Sequence, residues 1–102
     1  MNTGLDILGK RFRVVYKKMK DDFGKCDSVA CEIWIHPIQS EEQKRDTLLH
    51  ESIHALDHEM QTKMSERQVR LISTGLIHWM RANPEFVAWI MQAPSPGRGK
   101  KR

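Results

Sequence analysis

Cysteine is scarce in this chain, and long apolar runs are absent from it. The two cysteines, Cys26 and Cys31, have a CxxxxC spacing without a second pair. This argues against a disulfide framework and against a zinc site of the common CxxC type, so we expect two free thiols. No apolar stretch approaches the ~20 residues of a membrane-spanning helix, so no membrane partner is expected. The N-terminal MNTGLDILGK has no visible secretory signal, and a cytoplasmic location is expected.

A surplus of one charge sign is also missing from most of the chain. The formal net charge is +4 over 102 residues, but the last five residues, RGKKR, carry four positive charges. Because the preceding chain is electrically balanced, only this tail at 98–102 indicates a nucleic-acid partner. Length and composition predict a single domain over residues 1–92, followed by a disordered basic tail, APSPGRGKKR, at 93–102.

Alternation of apolar and polar residues near the N-terminus predicts a β-hairpin. Residues 5–8 and 11–17 would form its two arms. The turn is predicted at Gly9 and Lys10 as type II′, because glycine tolerates the positive φ of the first turn position.

A third strand is predicted at CEIWIHP, residues 31–37, where Pro37 ends the run. Ile33 and Ile35 would share one face of this strand. The preceding segment DDFGKCDS, residues 21–28, is rich in turn formers and is predicted to be a loop.

The remainder of the chain has helical periodicity. Residues 40–61 and 65–82 each open with the capping-box pattern SxxQ. The residues predicted to face the core are Leu49, Ile53, Leu56 and Met60 in the first segment and Val69, Ile72, Leu76 and Met80 in the second. A short helix is predicted at 83–92, with Asn83 as N-cap and Pro84 at the first helical position. Strands followed by helices predict the α+β class.

The first long helix contains HESIH, which fits the HExxH pattern. His50 and His54 lie one helical turn apart, so both imidazoles can reach one metal ion at ~2 Å. A zinc ion held there would lower the pKa of its water to about 7, and Glu51 would take the proton and pass it to the leaving amine. The pattern predicts one Zn²⁺ per chain. The competing interpretation is an amphipathic helix with exposed histidines.

A catalytic zinc needs a third protein ligand, and several residues are candidates. His58 continues the histidine spacing, but eight residues on a straight helix separate it from His50 by about 12 Å. Glu66 opens the next helix at the margin of its inward stripe and is the favoured choice. Asp57 and His58 are the alternatives, and Asp57 is also suited to hold a ligand imidazole by its second nitrogen.

Substrate binding has its own candidates. His58, His36 and His78 are candidates to line the cleft, and the competing interpretation for each is an ordinary surface or core-edge histidine. Tyr16 and His78 are candidates to stabilise the oxyanion. The strand before a metal helix can bind an extended peptide as an added strand. The candidates for this role are Glu32, Ile33, Trp34 and Ile35.

The segments TLLHESIHALDHE and MSERQVRLISTGLIHWMRANPEF together resemble small HExxH metallopeptidases of the ImmA/IrrE-like group, in the minimal form that bacteriophages and prophages encode. Upstream, LGKRFRV, FGKCD and CEIWIHP occur in the order of the strands that precede the metal helix there, so the resemblance covers residues 5–90. It implies a small zincin fold, zinc, His50, His54 and Glu66 as ligands, and Glu51 as catalytic acid and base. Members of this group often have glycine before the second histidine, where this chain has Ile53.

The resemblance implies a zinc endopeptidase that acts on a protein or peptide. Better-known members cleave repressors, but they carry extra domains or a partner, so a repressor or host protein is only one expectation for the substrate. A SprT-like protease acting on DNA-associated proteins is the first alternative. The second is a binding protein that holds zinc without turnover and sequesters a host factor, although such a site would not need Glu51.

Overall fold

Four short strands and three helices make up residues 4–94, the part of the chain that the computed structural model describes. Their bounds are Gly4–Ile7 (β1), Lys10–Tyr16 (β2), Gly24–Asp27 (β3), Glu32–Ile35 (β4), Glu41–Met60 (α1), Glu66–Ala82 (α2) and Pro84–Ile90 (α3). The α+β class is confirmed. The predicted tail from residue 95 onward lies outside the described residues. Within residues 4–94, no helix is both long enough and apolar enough to cross a bilayer.

The strands form one mixed sheet in the order β1-β2-β4-β3. The hairpin of β1 and β2 is confirmed, but its turn is formed by Leu8 and Gly9, since Lys10 already pairs with Ile7. Both turn residues have positive φ, 51° and 85°, as a type I′ turn requires, so the prediction of a type II′ turn one residue later was wrong. Asp6 stabilises the turn by accepting the Gly9 N–H at 2.9 Å.

The sequence prediction missed β3 and treated its residues as part of a loop. Gly24–Asp27 pairs antiparallel with β4, while β2 pairs with β4 in parallel on the other side. Asp27 then closes the turn, because its Oδ1 accepts the N–H groups of Val29 and Ala30. A strand of four residues that contains glycine and aspartate has little intrinsic β-propensity, so its pairing with β4 decides its structure.

The position of β4 corrects a second prediction. Glu32–Ile35 was proposed as the strand that binds an extended substrate, but β2 and β3 occupy both of its edges. A strand paired on both sides has no free backbone groups with which to add another strand. β3 lies at the edge of the sheet instead.

The core lies between the sheet and α1. Ile33 and Ile35 are fully buried on the helix-facing side of β4, as predicted, together with Phe12 of β2. On α1, Leu48, Ala55 and Leu56 pack against this cluster. Of the predicted α1 stripe, Ile53 is buried and Leu49 and Leu56 are half-buried, but Met60 at the end of the helix is exposed. Glu51, which is not part of this stripe, is buried next to Gly24 of β3.

Both capping boxes are present as the sequence predicted. The hydroxyls of Ser40 and Ser65 accept the backbone N–H groups of Gln43 and Gln68, which lie three residues later. Asn83 is the N-cap residue of α3 and Pro84 begins this helix, as predicted. The Asn83 side chain makes no cap hydrogen bond to α3, because its amide donates to the Trp79 carbonyl of α2 at 2.9 Å. Two local signals thus determine where α1 and α2 begin.

The two outer helices, α2 and α3, bury few of their side chains. Of the predicted α2 stripe, Val69 is fully buried, but Ile72 and Leu76 are exposed. Ser73 is the other buried residue of α2, and no residue of α3 is buried. The expectation of a continuous core-facing stripe on α2 was wrong, since α2 rests against α1 over only part of its surface.

Two glycine-to-alanine substitutions are expected to have opposite effects on stability. A Cβ at Gly24 would clash with the methyl group of Thr47 and lie 3.0 Å from Glu51 Oε2, so Gly24→Ala should lower the free energy of unfolding by about 1–3 kcal/mol. A Cβ at Gly75, inside α2, meets no atom within 4 Å, so Gly75→Ala should raise the free energy of unfolding by about 1 kcal/mol. Urea denaturation of both variants measures the difference. A neutral Gly24→Ala would contradict the close approach of β3 to α1.

Candidate metal centre

Two histidines on α1 point toward the start of α2. His50 and His54 are four residues apart, and their ring centroids lie 4.9 Å from each other. Nε2 of His50 is 2.9 Å from Glu66 Oε2, and Nε2 of His54 is 2.8 Å from Glu66 Oε1. The structure therefore brings together the three residues that the sequence favoured as metal ligands.

Glu66 is held in place by the turn between the helices. α1 ends at Gln61, whose left-handed conformation (φ 55°) turns the chain back. Asp57 then fixes the turn, because its Oδ1 accepts the Thr62 hydroxyl at 2.5 Å and the Met64 N–H at 2.8 Å. Both hydrogen bonds favour the charged carboxylate and lower the pKa of Asp57. Asp57 is not part of the ligand group, and its Oδ1 accepts from the turn and not from an imidazole, so neither proposed role of Asp57 is seen within residues 4–94.

The donor set fits a zinc ion. One ligand atom from each of His50, His54 and Glu66 lies within 4.8 Å of the others. Ligand atoms at zinc-bond distances in a tetrahedral site lie roughly 3.3 Å apart, so small movements of the carboxylate would admit the ion. An imidazole nitrogen and a carboxylate oxygen at 2.8–2.9 Å need a proton or a cation between them. Two nitrogens and one carboxylate are also a ligand set that zinc commonly accepts.

Ser73 supplies an orienting contact that the sequence prediction did not assign. Its Oγ donates to the Arg70 carbonyl at 3.1 Å and lies 3.4 Å from His50 Nδ1. Because the hydroxyl proton is engaged, the oxygen can accept from an Nδ1–H, and that tautomer leaves Nε2 of His50 as a lone-pair donor. The signal in the sequence was a small polar residue seven positions after Glu66, on the same side of α2.

Glu51 lies beside the histidines but is turned into the protein. It is 8% exposed and lines a cleft of about 630 Å³ together with Gly24, Cys26, His54 and Glu66. Burial raises the pKa of Glu51 to about 7; the charges of Glu66 and Asp22 also raise it, whereas His54 lowers it. A carboxyl group with such a pKa can exchange a proton near neutral pH.

Strand β3 forms the wall of the cleft opposite α1, and this wall was not predicted. Its lining residues are Asp22, Gly24, Lys25, Cys26 and Ser28. Burial raises the pKa of the Cys26 thiol, so this side chain is predominantly the neutral thiol at pH 7. Cys26 and Cys31 are both free thiols. The wall was missed because β3 itself was predicted as a loop.

Four other residues that the sequence proposed lie in different places. His58 lines the cleft but is not part of the ligand group. His36 was expected in the cleft, but its Nδ1 accepts the Ile38 N–H and its ring lies against Phe23. His78 lines a separate depression beside Arg81, and Tyr16 lies on β2 below Lys44. His36, His78 and Tyr16 do not line the cleft, so the structure gives none of them the cleft or oxyanion role for which it was a candidate. For His36 and His78 the competing interpretation, an ordinary histidine outside the cleft, agrees with the structure.

The buried carboxyl group predicts a pH-dependent stability of the metal-free protein. The folded state binds the Glu51 proton more tightly than the unfolded chain, so the contribution of this group to stability falls as pH rises from about 4.5 to about 7. Glu51→Gln removes this dependence and should raise the melting temperature by about 5 °C at pH 8, with a much smaller effect at pH 5. Thermal denaturation in EDTA measures both values. An increase that is equal at the two pH values would contradict the assigned cause.

A scan against protein-family models found no match, and neither the curated proteins nor the solved structures that were searched contain a significant match to this chain. The likeness to ImmA/IrrE-like metallopeptidases thus depends on the motifs of the chain itself and stays a prediction.

Proposed function

We propose that the chain is a zinc-dependent endopeptidase of the zincin type. The observation that carries this proposal is the convergence of His50, His54 and Glu66 on one point, with Glu51 buried beside it in an open cleft. An HExxH helix, a third ligand from the following helix and a small sheet alongside are the parts that a minimal zincin needs. The same arrangement supports the proposed relation to the ImmA/IrrE-like group.

The residues of the chain would divide the reaction between them. A zinc ion held by His50, His54 and Glu66 would supply an activated water and polarise the carbonyl of the scissile bond. Glu51 accepts the proton of the attacking water and returns it to the leaving amine, a role that suits its raised pKa. Ser73 holds the ring of His50 in the tautomer that keeps Nε2 free for coordination.

An extended peptide is the substrate that the cleft suits best. β3 is an edge strand, and it lines the same cleft as Glu51 and His54. A peptide that pairs with this edge would lie alongside Glu51 and the ligands, with its amide groups satisfied by the backbone of β3. We therefore assign the pairing with an extended substrate to Gly24–Asp27 of β3, in place of the β4 residues that the sequence suggested.

The ligand count favours catalysis over a zinc site that only stabilises a binding protein. A structural zinc is closed by four protein ligands, whereas the group in residues 4–94 has three and opens into a cleft. The DNA-directed alternative depended on the tail at 98–102, which lies outside the described residues. A repressor or another host protein stays a proposal for the natural substrate.

Metal content and peptide cleavage, measured together, test the proposed function. Untagged protein purified without chelators should contain about one zinc per chain by elemental analysis. It should also cleave members of a mixed peptide library, and 1,10-phenanthroline should abolish the cleavage. A zinc content near zero that persists after zinc is added back would contradict the proposal, and so would bound zinc without cleavage of any library peptide.

A further inference from the structure

The two outer helices leave a large apolar surface in contact with solvent. α2 and α3 are separated by Asn83 alone and contact each other. The name α2–α3 face is used here for seven exposed apolar residues of α2, α3 and the C-cap of α3: Ile72, Leu76, Trp79, Phe86, Trp89, Ile90 and Met91. Leu71 of α2 is also exposed but is not included in this face. On α2, the members of this face recur every three or four residues, which is the period of one helical side.

The rest of the described fold does not cover this face. α1 packs against α2, whose buried residues are Val69 and Ser73, while no residue of α3 is buried. The residues of the α2–α3 face are 40–73% exposed. The residues of the α2–α3 face therefore have no covering partner within residues 4–94.

The area of the face matches what a stable dimer needs. Side chains of this size have about 200 Å² of accessible surface, so these exposures leave roughly 800 Å² of apolar area. A soluble monomer rarely exposes a contiguous apolar patch of more than a few hundred Å². A specific protein–protein interface buries about 800 Å² on each partner, so two copies of this face would form one of ordinary size.

Charge does not oppose the pairing of identical faces. None of the seven residues of the α2–α3 face is charged. Arg81, the nearest cation after Trp79 in the sequence, is paired with Glu42 and Asp46 of α1 at 3.5 and 3.3 Å. Two copies related by a two-fold axis would thus bring apolar surface against apolar surface, and the two helix pairs would form a four-helix layer.

We propose that the α2–α3 face is the interface through which two copies of this chain form a homodimer. The aromatic residues Trp79, Phe86 and Trp89 would contribute most of the affinity, as aromatic residues do at the centres of interfaces. From α2 only its first residue, Glu66, lines the cleft, and none of the seven residues of the α2–α3 face does, so the dimer would leave both clefts open. This inference does not depend on the proposed peptidase activity.

Sedimentation equilibrium of the full untagged chain tests the proposal between 1 and 100 µM. We expect a species of twice the 11.9 kDa chain mass in the wild type. Ile72→Asp and Trp89→Asp should each raise the dimer dissociation constant at least roughly thirtyfold. Ile38→Asp is the matched control, because Ile38 is 76% exposed but lies in the loop before α1; this variant should dimerise as the wild type does.

A monomeric wild type over this range would overturn the proposal, as would a dimer that neither α2–α3 variant weakens. Hydrogen–deuterium exchange of the wild type at 1 and 100 µM gives a second measurement that does not depend on the folding of any variant. Amides of residues 72–91 should exchange more slowly at the higher concentration. Exchange that is independent of concentration in this segment would also overturn the proposal.

Discussion

Glu51→Gln is expected to reduce peptidase activity at least roughly a thousandfold while the protein keeps one zinc per chain. Glutamine has nearly the same size and fills the same buried position, but it cannot accept the proton of the attacking water. The side chain is not among the three grouped ligands, so metal binding should not change. Loss of turnover with retention of zinc separates the proton-transfer role of this residue from a structural one.

The measurement combines initial rates on a cleaved library peptide with elemental analysis of the same samples. Glu59→Gln is the matched control, because it is the same substitution on the same helix. Among the described residues Glu59 forms its ion pair with Lys10, at 2.9 Å, and it lies outside the ligand group. This variant should retain the activity of the wild type. If Glu51→Gln cleaves at the wild-type rate, the assignment of the general base is wrong.

A large loss of zinc affinity is expected when the third ligand, Glu66, is removed. Glu66→Ala removes the only carboxylate of the donor group and should weaken zinc binding at least roughly a hundredfold. The side chain of Glu66 is 60% exposed, and within residues 4–94 its ion pairs are those with the two histidines, so the fold should persist without it. A change in metal affinity without a large change in stability is therefore expected.

Competition with a chelating indicator dye measures zinc affinity, and thermal denaturation in EDTA measures the stability of the metal-free fold. His58→Ala is the matched control, since His58 lines the same cleft but lies outside the ligand group. It should bind zinc as the wild type does. If His58→Ala loses zinc and Glu66→Ala keeps it, the third ligand has been assigned to the wrong residue.

The geometry of the metal centre depends on the short connection between α1 and α2, which hydrogen bonds hold in place. Residues 61–65 link the helix that carries both histidines to the helix that carries the glutamate, and Asp57 holds this connection with two hydrogen bonds. Because Glu66 directly follows the N-cap Ser65, any change in the start of α2 would move the carboxylate. The capping boxes, which are local sequence features, thus contribute directly to the geometry of the site.

The sequence by itself predicted the features that depend on neighbouring residues. The two long helices were found because their capping boxes and periodicity are local, and HExxH placed His50 and His54 on one side of α1 by helical spacing alone. Glu66 was favoured because it opens the next helix after a short turn, and the structure places its carboxylate at both imidazoles. Ile33 and Ile35 were assigned correctly to the buried face of β4, since alternation along a strand is also local.

Only the tertiary structure decided the features that depend on residues distant in sequence. β3 is a strand because β4 pairs with it, and that pairing makes β4 central and leaves β3 at the edge beside the cleft. The packing of α1 against the sheet buried Glu51 and raised its pKa, although Glu51 is not part of the apolar pattern of that helix. Desolvation and sheet order are set by the packing of whole elements, and the spacing of residues along one chain segment does not contain that information.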